Sequence, residues 1–378
     1  MEEAIKNASS TDTIVLTSNV TLDDTIEINK NVNINLNNHT IEADEKVFSI
    51  QGGSLNLSGN GIVREKKPYY GAIMLMGSDD PTKKDFSTVS IGSGVTLEGW
   101  SGIFIDHLDN TGYGILVNMN GKINAVNDTS GGEGVGIYVN GNIKNQDNAP
   151  IINLTNTTNI TSTGNGIYSA GYATYNINGA YINGKESGLG IKSGVFNILN
   201  GTIIGSGEDK TPTNGNNNGI NPSGVAIQIE SNKGYAGNIE LYIKDGNIKS
   251  ENSNVIYEYI VDNATTRVKN IELSGGTYTS NVNKDVFLLS ESFKDTHPEF
   301  ITGGTYSSNP INYLKSGYHS TKNTNSQYEV TVTTMNVFKT NENNNTDDSF
   351  KLVLIITIII ILGTIFYLNR NKLLSLFK

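Results

Sequence analysis

From Ile14 to Leu36 every apolar residue of the main pattern falls on an even position: Ile14, Leu16, Val20, Leu22, Ile26, Ile28, Val32, Ile34 and Leu36. Polar residues fill almost every odd position between them. A period of two sustained this long, with no helical interlude, means successive short strands that each bury one face. Ser18, Asp24 and Lys30 mark the bends between them. The turn Asn37-Asn38-His39 breaks the phase, and the pattern resumes with Phe48, Ile50, Leu55 and Leu57.

Two small motifs then recur. One is a short apolar strand, often led by Gly: Gly71-Ala72-Ile73, Gly102-Ile103-Phe104, Gly136-Ile137-Tyr138, Gly166-Ile167-Tyr168, Leu189-Gly190-Ile191, Val225-Ala226-Ile227, Val255-Ile256-Tyr257 and Val286-Phe287-Leu288. Counted from the middle residues, these are spaced by 31, 34, 30, 23, 36, 30 and 31. The other is a turn that feeds a strand: Asn140-Gly141-Asn142-Ile143, Asn178-Gly179-Ala180-Tyr181, Asn200-Gly201-Thr202-Ile203, Asp245-Gly246-Asn247-Ile248, Gly275-Gly276-Thr277-Tyr278 and Gly303-Gly304-Thr305-Tyr306. Repeating units of strands and turns alone indicate a solenoid or a propeller. Unit length drifts, which a coil tolerates by bulging out loops, whereas a propeller needs hairpins and blades of fixed length. A coil of ~25 residues gives about twelve coils between residues 13 and 310. Asn at the bends suits left-handed backbone and side-chain ladders between coils.

Composition bounds the partners. The chain has 378 residues, a net charge of −10, no Cys and three arginines, Arg64, Arg267 and Arg370. An acidic, Arg-poor surface excludes nucleic acid as a partner, and the absence of Cys excludes disulfides and thiolate metal sites. Leu352 to Leu368 reads LVLIITIIIILGTIFYL without a charge. That length is the short end of a bilayer span, with Lys351 on one side and Phe366 and Tyr367 at interface depth on the other. Arg370, Lys372 and Lys378 follow it with no acid, so the positive-inside rule puts the tail in the cytoplasm and the rest outside. Four of the 27 bases and none of the 37 acids lie beyond residue 350, so residues 1–350 carry −14. Met1 to Lys6 has neither the basic start nor the apolar run of an export signal, so either a leader precedes this chain or the protein is a tail-anchored cytoplasmic one; the charge bias around the span favours the first.

The opening, Ala4-Ile5, Ala8 and DTIVLTSNVTLDDTIEINKNVNINLNNHTI from Asp12 to Ile41, resembles the entry coil of right-handed parallel β-helix proteins. These form the pectate-lyase-like group, common on bacterial surfaces. The close, Gly303 to Val332, is similar to the exit segment of the same surface proteins. The resemblance covers about residues 1–332 and implies a right-handed parallel β-helix there; with the apolar run Leu352–Leu368 the expected fold is all-β, a right-handed parallel β-helix (solenoid) followed by a single C-terminal transmembrane helix. The expected layout is a β-helix ectodomain with end caps over 1–332, a polar linker over 333–350, the membrane helix over 351–368 and a short basic tail over 369–378. A helix at Glu2–Ala8 is expected to cap the first coil, and the segment Tyr313–Tyr328 the last.

Such a fold hosts enzymes and non-enzymes alike. The resemblance implies that lyases of this group pair clustered carboxylates, which bind calcium, with an Arg or Lys base. Neither Arg64 nor Arg267 is expected to have carboxylates one coil away at the matching strand position. Asp23-Asp24 and Asp79-Asp80 occur without the partner motifs that hydrolases of the group carry. Asp106, His107 and Asp109 in GIFIDHLDN form the remaining cluster, capable in principle of acid–base work or metal binding. Alternation points Asp106 and His107 to opposite sides, which favours a solvated strand end. His39, His297 and His319 are read as solvated residues of turns and loops. Calcium at the Asp-Gly and Asn-Gly turns is the one ion considered, although the Gly-Gly-x-Gly-x-Asp nonapeptide does not occur. Tyr168, Tyr172, Tyr175 and Tyr181 could stack on sugar rings, but Tyr is also an ordinary strand residue. No catalytic, cofactor-binding or metal residue is assigned. The expected function is adhesion or display at the cell membrane, binding carbohydrate or a surface protein through the side faces. The alternative is a polysaccharide lyase or hydrolase with a divergent site.

The linker Thr340–Ser349 spans roughly 15–20 Å if flexible, which keeps the ectodomain near the bilayer. Protease treatment of intact cells is therefore expected to release no ectodomain fragment; ready release would place it beyond the envelope.

Overall fold

Three short strands make up each coil. The computed structural model describes residues 1–106, 112–141, 147–211, 223–261 and 265–333. Its first coil runs through Thr13–Val15, Val20–Leu22 and Ile26–Ile28, its second through Asn31–Asn35, His39–Ala43 and Phe48–Ile50. Each strand pairs in parallel with its counterpart one coil on: Ile14 with Ile34, Val20 with Ile41, Ile26 with Phe48. The even-numbered apolar residues between 14 and 36 face inward, and Ile28, Ile34 and Leu36 are fully buried. The strand His39–Ala43, which lies where the phase breaks, buries Ile41 and Ala43. Asn37 and Asn38 turn the chain there with φ of 45° and 67°, a conformation that Asn adopts more readily than most residues.

Ten complete coils occur among the described residues, the tenth formed by Val268–Leu273, Thr277–Thr279 and Phe287–Leu288. Their third strands make one ten-stranded parallel sheet, here the third sheet. The first and second strands merge into a larger sheet, because Thr174–Gly184 and Gly194–Gly205 run through the corner unbroken. The expectation of about twelve coils was too high, since the loops leaving the corners lengthen the average coil. All eight apolar motifs lie on the third sheet. Their register, however, follows Ile73, Ile103, Ile137, Ile167, Leu189, Ile227, Ile256 and Phe287. The true spacings are thus 30, 34, 30, 22, 38, 29 and 31. Three motifs are offset by one residue because the inward position sets register, and it is not always the middle one.

The turn motif forms the corner between the two arms of this larger sheet, the first-strand arm and the second-strand arm, here the first and second sheets. There Thr202, Asn247, Thr277 and Thr305 stack in register. Gly246 has φ +130°, and a Cβ on it would lie 2.7 Å from the Gly201 carbonyl oxygen, so glycine is required by both torsion and contact. Asn140-Gly141 does not belong to this corner. It follows the third-sheet strand Val135–Val139, and residues 142–146 lie outside those described. Asn ladders occur on the first sheet's outer face rather than mainly at bends. The Asn153 amide donates to Asn118 at 2.9 Å, Asn176 to Asn153 at 2.9 Å, and Asn197 to Asn176 at 3.0 Å.

The interior is filled by such columns, with Tyr175 stacked on Phe196 at 4.2 Å and Tyr278 on Tyr306 at 4.6 Å. Helix α1 (Glu2–Asn7) caps the first coil through Ile5. Lys30 Nζ ties it down by donating to the carbonyls of Lys6 and Ala8 at 3.0 and 2.9 Å. A second helix, α2 (Glu291–Thr296), was not foreseen. The Ser290 hydroxyl caps it by accepting from Phe293 N–H at 3.2 Å, and Phe293 is fully buried. Beyond it, Tyr328–Val332 pairs antiparallel with both Thr305–Tyr306 and Tyr318–Lys322, ending the parallel stack near the predicted cap. Among the described residues no helix is long and apolar enough to cross a membrane; Leu352–Leu368 lies outside them.

Ile167 is fully buried between Ile137 and Leu189 in one column. Ile167→Ala is expected to cost about 3 kcal/mol, because neighbouring coils cannot close the gap; urea unfolding followed by circular dichroism measures it.

Candidate functional site

The outer side of the third sheet collects the chain's unusual side chains. Register sets Met74, Phe104, Tyr138 and Tyr168 in one outward column, whose run of rings is interrupted at Gly190. Phe104 lies stacked on Tyr138 at 4.9 Å with an interplanar angle of 4°, and Tyr138 stacks on Tyr168 at 4.9 Å. With Trp100 they form an apolar cluster separate from the interior. Tyr70 extends the strip, 6.2 Å from Phe104, and Tyr69 packs edge-on against Tyr70 at 4.7 Å. The strip grades from covered to open: Tyr168 is 1% exposed, Phe104 half-buried, Tyr70 37% and Tyr69 53%.

Buried Glu65 fixes the open end. Its carboxylate accepts from Tyr70 N–H at 2.8 Å and from Trp100 N–H at 3.0 Å. The Ser101 hydroxyl donates to the Tyr70 carbonyl at 2.7 Å, and Lys46 Nζ lies over the Tyr70 ring at 5.2 Å.

At the covered end lies a charged cluster that sequence reasoning missed. Lys192 and Glu230, both 2% exposed at the side chain, form an ion pair at 2.7 Å. They sit one residue beyond the register pair Ile191 and Ile229. Glu230 also accepts from Tyr259 hydroxyl at 2.6 Å and from the Asn232 amide at 2.9 Å. Lys192 Nζ lies over the rings of Tyr168 and Tyr235 at 5.5 and 5.1 Å. Burial lowers the ammonium's hold on its proton, with Glu230 opposing. Burial works to raise Glu230, but Lys192 and the hydrogen bonds outweigh it and hold the carboxylate low. The loop that carries Asn232 and Tyr235 folds back over the sheet. Arg267 pins it by donating to the carbonyls of Asn232 at 2.9 Å and of Gly237.

A separate polar cleft of about 320 Å³ opens where the second sheet turns into the third, lined by Asn127, Glu133, Thr163, Lys185, Glu186 and Lys210 among others. Glu186 Oε2 is inaccessible and lacks a hydrogen-bond partner. Burial first, then Glu133, pushes the Glu186 carboxyl up to about 7, with Lys210 opposing. Gly164 makes room for both acids, since a Cβ there would lie 3.1 Å from Glu133 Cβ and 3.4 Å from Glu186 Oε2.

The sequence candidates fare unevenly. Asp106 ends its strand as expected but is buried, accepting from the Asn140 amide at 2.9 Å; His107 and Asp109 lie outside the described residues. Arg64 corrects the sequence reading. It sits in register between Glu42 and Glu98, one coil to either side, at 3.5 and 2.7 Å. Unequal coil lengths hid that match. Arg267 holds backbone carbonyls. Asp80 Oδ1 accepts from its own turn at Thr82 N–H, 2.9 Å. Of the three histidines read as turn or loop residues, His39 opens a strand, His319 sits in the terminal hairpin, and His297 stacks on Phe293 at 4.9 Å. Tyr175 is interior and Tyr172 buried, while Tyr181 is exposed. No group of three or more His, Asp or Glu side chains able to hold a metal occurs among the described residues. No protein-family model, curated protein or solved structure matches the chain.

For Glu186 the folded value lies above its ordinary 4.5, so folding favours the protonated form. Stability attributable to this group is full below pH 4.5, falls between 4.5 and about 7, and then stays low. Glu186→Gln is expected to be more stable than the parent above pH 7, by on the order of 2 kcal/mol. That advantage should vanish below pH 4.5 in urea denaturation.

Proposed function

We propose that the chain is a membrane-anchored surface protein of the right-handed, pectate-lyase-like β-helix type, made for adhesion or display, which binds glycan without cleaving it. Leu352–Leu368 is the anchor, with the β-helix outside and the tail in the cytoplasm. The observation that carries the reading is the graded aromatic strip on the third sheet. Tyr69 and Tyr70 at the open end offer aromatic surface to the apolar C–H face of a sugar ring, and the stacked rings of Phe104, Tyr138 and Tyr168 back them from beneath. Glu65 holds Tyr70 and Trp100 in place before any ligand arrives, which limits the ordering cost of binding. A second reading, a glycan-cleaving enzyme, is favoured by the Glu133–Glu186 cleft. There one carboxyl holds its proton near neutrality beside another acid, a pairing suited to acid–base chemistry.

A glycan array probed with the full-length protein in detergent tests the first reading. Binding is expected, with Tyr70→Ala and Phe104→Ala each weakening it about tenfold. New reducing ends or unsaturated products in the same samples, abolished by Glu186→Gln, would replace binding with cleavage.

A further inference from the structure

We propose that Lys192 and Asn232 become joined by a spontaneous amide bond between their side chains, with Glu230 shuttling the protons. The covered end of the third sheet brings together the groups such a reaction needs. The nucleophile is Lys192 Nζ, buried against the rings of Tyr168 and Tyr235. The electrophile is Asn232 Cγ. Glu230 bridges the two, with Oε2 at 2.7 Å from Lys192 Nζ and Oε1 at 2.9 Å from Asn232 Nδ2. Gly234 N–H donates to Asn232 Oδ1 at 2.8 Å, polarising the carbonyl and standing where a developing oxyanion needs a donor. Arg267 fixes the approach by donating to the main-chain carbonyls of both reacting residues, Asn232 at 2.9 Å and Lys192 at 3.4 Å.

The step balances without a cofactor. Glu230 takes a proton from the Lys192 ammonium, and the neutral amine adds to Asn232 Cγ. The tetrahedral intermediate carries its charge on Oδ1, toward Gly234 N–H. Glu230 returns a proton to Nδ2, the Cγ–Nδ2 bond breaks, and nitrogen leaves as ammonia. The second proton of the attacking nitrogen stays on Glu230 as the new Nζ–Cγ amide forms. Lysine ammonium, Glu230 carboxylate and asparagine amide thus become a secondary amide, a neutral Glu230 carboxyl and ammonia. Burial favours the forward step, because two neutral groups replace a buried ion pair. Sharing one carboxylate, Lys192 through Oε2 and Asn232 through Oε1, makes the encounter intramolecular. The link would tie two adjacent coils covalently through their outer face, where the Lys192–Glu230 ion pair already joins them.

Intact-mass measurement of the full-length folded protein, followed by peptide mapping, is the test. The expected result is a mass lower than the sequence mass by one ammonia, with a branched peptide joining Lys192 to Asn232. Asn232→Ala leaves the Lys192–Glu230 ion pair in place and is expected to show its full calculated mass, as is Glu230→Gln. A natively folded parent chain of full mass, after prolonged incubation at neutral pH, overturns the proposal whether or not the variants fold. So does an ammonia loss that maps to a succinimide at an Asn-Gly pair, or one that persists in Asn232→Ala.

Discussion

Backbone hydrogen bonding between successive coils is the constraint on which everything else depends. A coil of short strands cannot satisfy its own amides and carbonyls; each strand must find them one coil away, in register. Because side chains alternate, a slip of one residue would turn a whole inward row outward. The inward column from Ile26 and Phe48 through Ile167 to Phe287 therefore holds the register as firmly as the hydrogen bonds hold the strands. Asn ladders and stacked rings repeat the same arrangement at each coil.

The functional features inherit that register. Phe104, Tyr138 and Tyr168 touch because parallel stacking sets equivalent positions above one another. The same rule sets Glu42, Arg64 and Glu98 in line on another face. Among the described residues, most ion pairs join different coils rather than neighbours along the chain. Lys192–Glu230 differs in being desolvated, and buried pairs seldom gain much stability over apolar residues of equal size. Its place beneath a loop clamped by Arg267 calls for an explanation in chemistry or specificity rather than in stability alone.

The fold was legible because its signal is local. Even-numbered apolar residues from Ile14 to Leu36 declare strands directly, and eight recurring apolar motifs declare a stack of coils. The first cap was legible from Glu2–Ala8. What escaped was whatever depends on loop length. The offset from Glu42 to Arg64 differs from that between Arg64 and Glu98, so their alignment could not be counted out. Lys192 follows an ordinary strand and Glu230 lies within another; nothing in their spacing marks them as partners. Helix α2 is six residues long, too short for a helical period to stand out. Its Ser290 cap was the available clue.

The antiparallel hairpin at the C-terminal end has a meaning beyond covering hydrophobic surface. A parallel stack has a direction and no intrinsic length: any coil can serve as template for the next, including one from another molecule. By reversing chain polarity at Tyr328–Val332, the sequence writes a stop into the pattern. Coils could be gained or lost by duplication upstream without disturbing that terminator. The reach of the surface it supports can therefore evolve in increments of one coil, while the protein remains a counted object rather than a filament.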